Sequence, residues 1–213
     1  AGHCQLRPDP AYARGMGPAD LRQTILDSAV ARIAEFGPDG LSFRRLAQDA
    51  GVSHQAPYHH FTDRRGIFEA ISAEGFALLA DALEDALATG DGDPAVAVLE
   101  SPLVSIPLGH RGHFRVMFRP DLCPDDDPDL RRSGGQAFDL LVDHVRTTLG
   151  PDATVDEIRA RAATMWSLAH GLATLLVDGP LERKLGPVTD LRALVRSVAE
   201  QSGLTTAPDA PVT

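Results

Sequence analysis

The stretch Leu41–Glu69 reads LSFRRLAQDAGVSHQAPYHHFTDRRGIFE and decides the fold, because it predicts two short helices around a tight turn and the start of a third. Ser42 can accept a backbone N–H bond at the start of the first helix. Four apolar residues follow at helical spacing on one face: Phe43, Leu46, Ala47 and Ala50. Gly51 suits a left-handed C-terminal cap, and Ser53 is placed to cap a second helix that we expect to begin at His54. The pattern is typical of a helix-turn-helix.

The second predicted helix carries an unusually polar and aromatic surface for so short a segment. Ala56 and Phe61 provide its apolar contacts. The polar surface consists of His54, Gln55, Tyr58, His59 and His60. Pro57 would be the fourth helical residue, so we expect it to remove one early backbone bond and to tighten or distort the first turn. A surface of this kind suits the base edges and phosphates of DNA.

Composition and charge restrict the class of protein. The 213 residues are 43% hydrophobic and 23% charged, which is ordinary for a folded globular chain. The net charge of -10 argues against a protein that coats nucleic acid along its whole surface. Residues 1 to 66 nevertheless carry a net charge of +1, and the remainder carries -11. This asymmetry would confine DNA contact to one face, although an acidic surface that serves only solubility explains it equally well.

Cysteine usage and segment hydrophobicity point to a cytoplasmic protein. Cys4 and Cys123 lie far apart and lack metal-ligand spacing, so we expect neither a disulfide framework nor a metal site. No apolar run is long enough for a transmembrane helix, and the N-terminus lacks an apolar signal-peptide core. No nucleophile–base pair or phosphate-binding glycine loop is present, so we expect no cofactor and no enzymatic activity.

A longer pattern runs through the opening stretch: Ser42, Leu46, Ala47, Ala50, Gly51, Val52, Ser53, Tyr58, His60, Phe61, Asp63 and Arg64. It resembles the motif of the TetR family of bacterial repressors, and Pro57 departs from it where the family usually has Leu or another aliphatic residue. His113–Phe118, HFRVMF, and Trp166–Gly171, WSLAHG, resemble segments of one branch of the family that carries a W-x-x-x-H-G motif.

The resemblance implies an all-α fold. An N-terminal three-helix helix-turn-helix domain would be joined by a long helix to a C-terminal helical domain for ligand binding and dimerisation. The expected parts are a flexible arm at 1–17, the DNA-binding domain at 18–66, the regulatory and dimerisation domain at 67–201 and a disordered tail at 202–213. The final two helices are expected to form the dimer interface with a second copy.

Apolar periodicity and capping residues place the individual helices. They are expected at 21–36, with Asp20 and Gln23 as a capping box, from Asp63 or Thr62 to about Thr89, and at 130–149, 155–177 and 191–198. Prolines and glycines interrupt 93–124, where the expected structure is short, kinked or partly irregular.

The family resemblance assigns DNA-contacting roles residue by residue. Arg44, His54 and Gln55 are the candidates for reading bases, and an arginine can bond both acceptors of a guanine. Phosphate contacts fall to Ser42, Tyr58, His60, Arg64 and Arg65. His59 belongs to the same surface or is a solvated residue without a role. Tyr58 has core packing as its alternative and Arg64 a helix-surface charge, and we favour phosphate contact for Tyr58.

A ligand cavity between the helices of the regulatory domain is expected from the same resemblance. Its candidate lining is Phe114, Met117, Phe118, Phe138, Met165, Trp166 and His170. Ordinary core packing is the simpler interpretation of each apolar candidate, and a structural hydrogen bond is the commoner role for His170.

The sequence therefore predicts a ligand-responsive, sequence-specific DNA-binding transcriptional regulator. It would act as a repressor that binds a near-palindromic operator in double-stranded DNA as a homodimer and is released by a small-molecule effector, without contact with a membrane. The alternative is a helical small-molecule-binding protein that lacks operator-specific DNA binding.

Overall fold

The structure is a computed structural model that describes residues 17–89, 94–100, 104, 106–123 and 128–204. Its regular elements in these ranges are helical, which confirms the predicted all-α class. In chain order they are α1 Pro18–Phe36, a 3-10 turn Pro38–Gly40, α2 Phe43–Asp49, α3 Ala56–His60, α4 Arg64–Thr89, α5 Pro94–Glu100, α6 Ile106–Gly109, α7 Arg111–Met117, α8 Pro128–Leu149, α9 Val155–Val177, α10 Pro180–Leu185 and α11 Leu191–Gln201.

The chain forms two compact units, and the first combines two separate stretches of sequence. Unit 1 comprises Ala1–Gly75 and His110–Leu130, and unit 2 comprises Phe76–Gly109 and Arg131–Thr213. The division into domains at 18–66 and 67–201 remains a prediction, because compactness does not measure independent folding. Most of the expected arm and tail, 1–16 and 205–213, lies outside the described residues.

Helix α1 begins three residues earlier than the sequence suggested. Gly17 occupies the N-cap position with Pro18 in the first turn, where a missing N–H costs nothing. The Gly17 amide donates to Oδ2 of Asp20 at 3.3 Å, so Asp20 lies inside the first turn and is not the cap. The capping box assigned to Asp20 and Gln23 was wrong, because the helix already has favourable first-turn residues upstream.

The α2 helix and its turn follow the sequence closely. Oγ of Ser42 accepts from the amide of Arg45 at 3.4 Å, which confirms Ser42 as the N-cap. Gly51 has a φ of 68°, the left-handed conformation expected there. The amide of Val52 donates to the carbonyl of Ala47 at 2.9 Å, and the Gly51 amide to that of Gln48 at 3.3 Å. These two bonds form a Schellman motif, which ends α2.

Helix α3 begins two residues later than predicted. The Ala56 amide bonds to the carbonyl of Ser53 at 3.0 Å in a turn, and Gln55 is the N-cap of a helix that starts at Ala56. His54 and Gln55 therefore lie in the turn before the helix. Pro57 falls in the first turn of the helix, where the amides have no intrahelical partner, so the expected loss of a backbone bond does not occur.

Unit 1 has a fully buried apolar centre to which α1, α2 and α4 contribute. Ile25, Ile33, Leu46, Ile67 and Ile71 are 0% exposed. Oδ1 of Asp63 accepts from the Gly66 amide at 3.0 Å, which confirms the predicted cap of α4. Helix α7, which belongs to the second stretch of unit 1, packs against α1.

In unit 2, α9 packs against α6 and α10, and α5 packs against α11. Thr154 and Glu157 form a capping box at the start of α9, whose limits agree with the predicted ones. Helix α8 begins at Pro128, two residues before the expected start, and α11 extends three residues beyond the predicted Val198. Helix α10 was not predicted. Within the described ranges, no helix is both long and apolar enough to cross a membrane.

Candidate nucleic-acid interface

Two adjacent arginines project from the first turn of α2. Arg44 and Arg45 are both exposed, because the buried side of this short helix is occupied by Phe43, Leu46 and Ala47. In the described part of the chain, neither guanidinium has an acidic partner. Sequence reasoning selected Arg44 and missed Arg45, although its position next to Arg44 in a first turn was a usable signal. Two cations without intramolecular partners are available for phosphate or base contacts.

The turn before α3 and the helix itself present four more exposed side chains: His54, Gln55, Tyr58 and His59. Tyr58 is 63% exposed, and its ring centre lies 4.5 Å from that of Phe43. Its ring is therefore fixed against α2, while most of its surface faces solvent. His60 is half-buried. Phe61 is 4% exposed, in agreement with its predicted core role.

Three predicted phosphate-contacting residues also bond within the chain. Ser42 caps α2, as described above. Nη2 of Arg64 donates to the carbonyl of Pro38 at 2.8 Å, and its guanidinium lies 5.5 Å from the ring centre of Phe68. Nε of Arg65 pairs with Oε1 of Glu69 at 2.6 Å. Both arginines remain exposed, but each is partly engaged by its own chain.

The connection between α1 and α2 is held by hydrogen bonds from Arg32. Nε of Arg32 donates to the carbonyl of Gly40 at 3.0 Å, and its Nη1 pairs with Oδ2 of Asp49 on α2 at 2.8 Å. The side chain of Arg32 is only 12% exposed. Hydrogen bonds made by a charged and largely buried donor are among the stronger ones in proteins. They fix α2 relative to α1.

The seven candidate ligand residues divide between the two units. Phe114, Met117 and Phe118 lie in unit 1, and Phe138, Met165, Trp166 and His170 lie in unit 2. Sδ and Cγ of Met117 lie so close to Gly75 that a Cβ there would be 2.5 and 2.9 Å from them. The α7 candidates thus include at least one tightly packed core residue. The ring centres of Phe138 and Trp166 are 5.6 Å apart, edge to face.

The concave spaces in the described part of unit 2 include two that border α9. A cleft of about 540 Å³ opens to solvent beside the start of α9, and its lining is Leu149, Asp152, Ala153, Glu157, Ala160, Arg161 and Thr164. A second space of about 10 Å³ is lined in part by Met165 and His144. Of the candidate ligand residues, only Met165 lines either of these two spaces. Burial lowers the pKa of His170 from its usual value, which favours the neutral ring.

Two family models match the chain. The model described as bacterial regulatory proteins, tetR family, matches residues 25–71. The model described as tetracyclin repressor-like, C-terminal domain, matches residues 107–201. Together they include the α2–α3 surface and all of α7 to α11.

Individual relatives agree with these matches. The HTH-type transcriptional repressor AcnR of Corynebacterium efficiens is 29% identical over 81% of this chain and 86% of its own length. The structure of a protein with unknown function from Rhodococcus sp. RHA1 has a TM-score of 0.70 and 30% identity, covering 87% of this chain and 96% of that one. The transcriptional regulator FadR from Bacillus subtilis, in complex with stearoyl-CoA, has a TM-score of 0.60 and 17% identity, with coverage of 84% and 95%.

These matches agree with the geometry of the α2–α3 surface, where a capped helix, a Schellman turn and a second short helix present unpaired cations and hydrogen-bonding side chains. The W-x-x-x-H-G branch remains a prediction, since the comparisons do not bear on that motif. The chain belongs to the tetR family of bacterial regulatory proteins and is a DNA-binding transcriptional regulator.

Proposed function

We propose that the protein is a repressor that binds a near-palindromic operator as a homodimer and leaves it when a small molecule binds within unit 2. The main support is the pair Arg44 and Arg45, which face solvent without acidic partners among the described residues, in a protein of net charge -10. Exposed charges contribute little to the free energy of folding. The adjacent pair is therefore better explained by the binding of a polyanion such as DNA. The protein would act in the cytoplasm, without an enzymatic reaction.

The contacts divide by chemistry. Arg44, His54 and Gln55 read base edges in the major groove, and Arg44 bonds both acceptors of a guanine. Tyr58, His60, Arg64 and Arg65 contact phosphates together with Ser42, and Arg45 joins this group. His59 lies on the same exposed surface. Phosphate contacts set the position of α3 on the duplex, while base contacts set the sequence preference.

The dimer would form through α9 and α11. The exposed side of α9 carries small residues with one large apolar residue near its end: Ala160, Ala163, Thr164, Ser167 and Leu175. Small side chains let two helices approach closely, and Leu175, which is 43% exposed, would add an apolar contact between the two copies. A symmetric dimer would present two α3 helices to two operator half-sites.

Operator titrations with two arginine variants test the assignment. Arg44→Ala should weaken binding to the matched operator by about 1–3 kcal/mol and relax the preference for one base pair. Arg64→Ala should weaken matched and scrambled DNA alike and reduce the salt slope by about one phosphate contact. Binding measured at several salt concentrations on both duplexes separates the two roles. Identical losses for the two variants on both duplexes would contradict the assignment.

The effector site is tested by ligand binding followed by DNA release. The candidates that lie in unit 2, Phe138, Met165, Trp166 and His170, are the proposed contacts, and Met165, Trp166 and His170 are the first to substitute. Thermal-shift screening should use apolar and amphipathic molecules, with stearoyl-CoA as one probe because the B. subtilis FadR structure contains it. A true effector raises the melting temperature and raises the Kd for operator DNA.

The competing function is a helical ligand-binding protein that recognises no operator. Titration with the chain's own upstream DNA distinguishes the two. Salt-sensitive binding that prefers one sequence supports the repressor, and ligand stabilisation without sequence-selective DNA binding supports the alternative.

A further inference from the structure

Helix α1 ends without a cation of its own. Its last turn contains no basic residue, and Glu35 places a negative charge there. The C-terminal carbonyls of a helix carry the negative end of the helix dipole and lack intrahelical donors, so a cation nearby is stabilising. The group that fulfils this role in unit 1 comes from a distant part of the sequence.

That group is Arg115 of α7. Its Nη1 donates to the carbonyl of Ala34 at 2.9 Å and to that of Ile33 at 3.2 Å. The contacts are partly buried, where charge-assisted bonds are less weakened by water than on an open surface. Arg115 thus holds the last turn of α1, 81 residues away in sequence.

The position of α7 on α1 is itself closely fixed. A Cβ added to Gly112 would lie 2.3 Å from the carbonyl oxygen of Val30, so the backbones touch at this point. Nε2 of His113 lies 3.2 Å from Oε2 of Glu74, which joins α7 to α4. Gln23 on α1 donates to the other carboxylate oxygen of Glu74 at 3.3 Å. Arg115 therefore projects from a helix that is held at several points.

The bonds continue from the end of α1 to the DNA-contacting face. Arg32, one residue before Ile33, bonds to Gly40 and to Asp49 on α2. Arg64 bonds to Pro38 in the same connection. Three arginines from α1, α4 and α7 thus bond to backbone carbonyls between Ile33 and Gly40, immediately before the cap of α2.

We infer that Arg115 is a positioning residue for DNA binding: by holding the last turn of α1 it sets the place of α2, and through α2 the aim of Arg44 and Arg45. It touches no DNA. The inference rests on the proposed operator binding and extends it to a residue outside the helix-turn-helix segment. It also predicts that the stretch after α6 is required for full operator affinity.

Three variants of the full chain test this role. Arg115→Met keeps an unbranched apolar stem but removes the donors, and Arg115→Lys keeps a charge and one donor group. Arg119→Ala is the matched control, because it also removes one positive charge from the same part of the chain. Arg119 is exposed and bonds to Asp121 beside it, which lowers the pKa of that carboxyl group through the hydrogen bond.

The expected result has three parts. Arg115→Met raises the operator Kd about tenfold with an unchanged salt slope, since no phosphate contact is lost. Amide hydrogen exchange becomes faster in 37–42 and stays unchanged in α9, because the connection is loosened while unit 2 is not. Arg115→Lys recovers part of the affinity, and Arg119→Ala behaves like the unsubstituted protein. Circular dichroism at the assay temperature verifies that each variant is folded.

Several outcomes would overturn the inference. A Kd within twofold of the original, with faster exchange in 37–42, would make Arg115 a purely structural residue. A salt slope reduced by about one contact would make it a direct phosphate ligand, and an equal loss in Arg119→Ala would reduce it to general electrostatics. If the unsubstituted protein binds no operator, the proposed function fails instead, and the exchange data alone report on the bond to α1.

Discussion

The two compact units differ in the exposed charges that they present. In unit 1, Arg44 and Arg45 face solvent without acidic partners among the described residues, while Arg32 and Arg115 bond to carbonyls in the connection after α1 and in its last turn. In unit 2 many polar bonds are local, such as that between Thr154 and Glu157 at the start of α9, although Arg161 also bonds to the distant carbonyls of Gly203 and Leu204. Unit 1 thus holds a charged surface in position, whereas the helices of unit 2 pack around an apolar core.

This difference explains why the structure of a single chain indicates the role of unit 1 more clearly than the role of unit 2. A surface for DNA needs unpaired cations that are already in place, because the duplex is a rigid polyanion. A surface that binds another helix needs small and apolar side chains. Such side chains are also common on surfaces that bind nothing, so they do not by themselves indicate a partner. Three features can test this difference: the contact of α7 with α1, the contrast between exposed and internally bonded arginines, and the half-buried His170 of unit 2.

The largest effect is expected from Gly112→Ala. The new Cβ would meet the Val30 carbonyl oxygen at 2.3 Å and Cγ1 of the same residue at 2.9 Å, so α7 must move away from α1. Overpacking of this kind costs about 1–3 kcal/mol, and a backbone neighbour gives way less easily than a side chain. The free energy of unfolding, measured in urea, should fall by at least that amount, and operator affinity should fall with it.

Gly66→Ala is the control for Gly112→Ala. Gly66 lies in α4, and nothing comes within 4 Å of a Cβ placed there. Replacing a helical glycine by alanine at an open site stabilises by about 0.5–1 kcal/mol. If Gly112→Ala is as stable as Gly66→Ala, the close contact between Gly112 and Val30 is absent in solution.

The next effect separates the two kinds of arginine. Arg32→Met removes bonds to Gly40 and Asp49 from a side chain that is 12% exposed, so unfolding should become easier by about 1–3 kcal/mol. Arg45→Met should change stability by no more than about 0.5 kcal/mol, because the side chain is an exposed surface group. It should instead weaken operator binding and lower the salt slope by about one contact.

Urea unfolding and salt-dependent DNA titration on both variants supply the comparison. The distinction between solvent-facing arginines such as Arg45 and internally bonded arginines such as Arg32 fails if Arg45→Met destabilises the fold as much as Arg32→Met. It also fails if Arg45→Met binds operator with undiminished affinity and slope, since the exposed pair would then have no external partner.

Local chemistry made the helix-turn-helix predictable. Ser42, Gly51 and Asp63 act within a few residues of themselves, so their caps could be predicted from sequence and are present. The start of α3 was misplaced because Ser53 also suits a cap, while its carbonyl in fact closes a turn with Ala56. Because α3 begins at Ala56, Pro57 lies in the first turn of the helix, where a missing amide N–H removes no intrahelical bond.

Long-range bonds were not predictable in this way. Nothing near Arg115 in the sequence indicates that its partners are the carbonyls of Ile33 and Ala34. Every residue has a backbone carbonyl, so residue type does not show which of them accepts a bond. The same holds for the grouping of Phe114 and Met117 with unit 1, which the HFRVMF motif alone did not reveal. Sequence periodicity shows which side of a helix is apolar and not which neighbour covers it.

The smallest effect concerns the pH dependence of stability through His170. Burial lowers the pKa of this ring below its usual value near 6.5, so the unfolded chain binds the proton more readily than the folded one. Stability should therefore be lost as pH falls from that value toward the folded pKa, and no such contribution exists above it, where both states are neutral. Urea midpoints at pH 7.5 and at pH 5.5 would measure this loss.

His170→Gln should lose less stability over the same interval, because the titrating group is gone. His59→Gln, at an exposed position of unit 1, is the control and should follow the original protein. An equal loss in the original and in His170→Gln would mean that the proton is taken up elsewhere. The half-buried His170 would then not distinguish unit 2 from the exposed His59 of unit 1, and the contrast between the units would rest on the arginines alone.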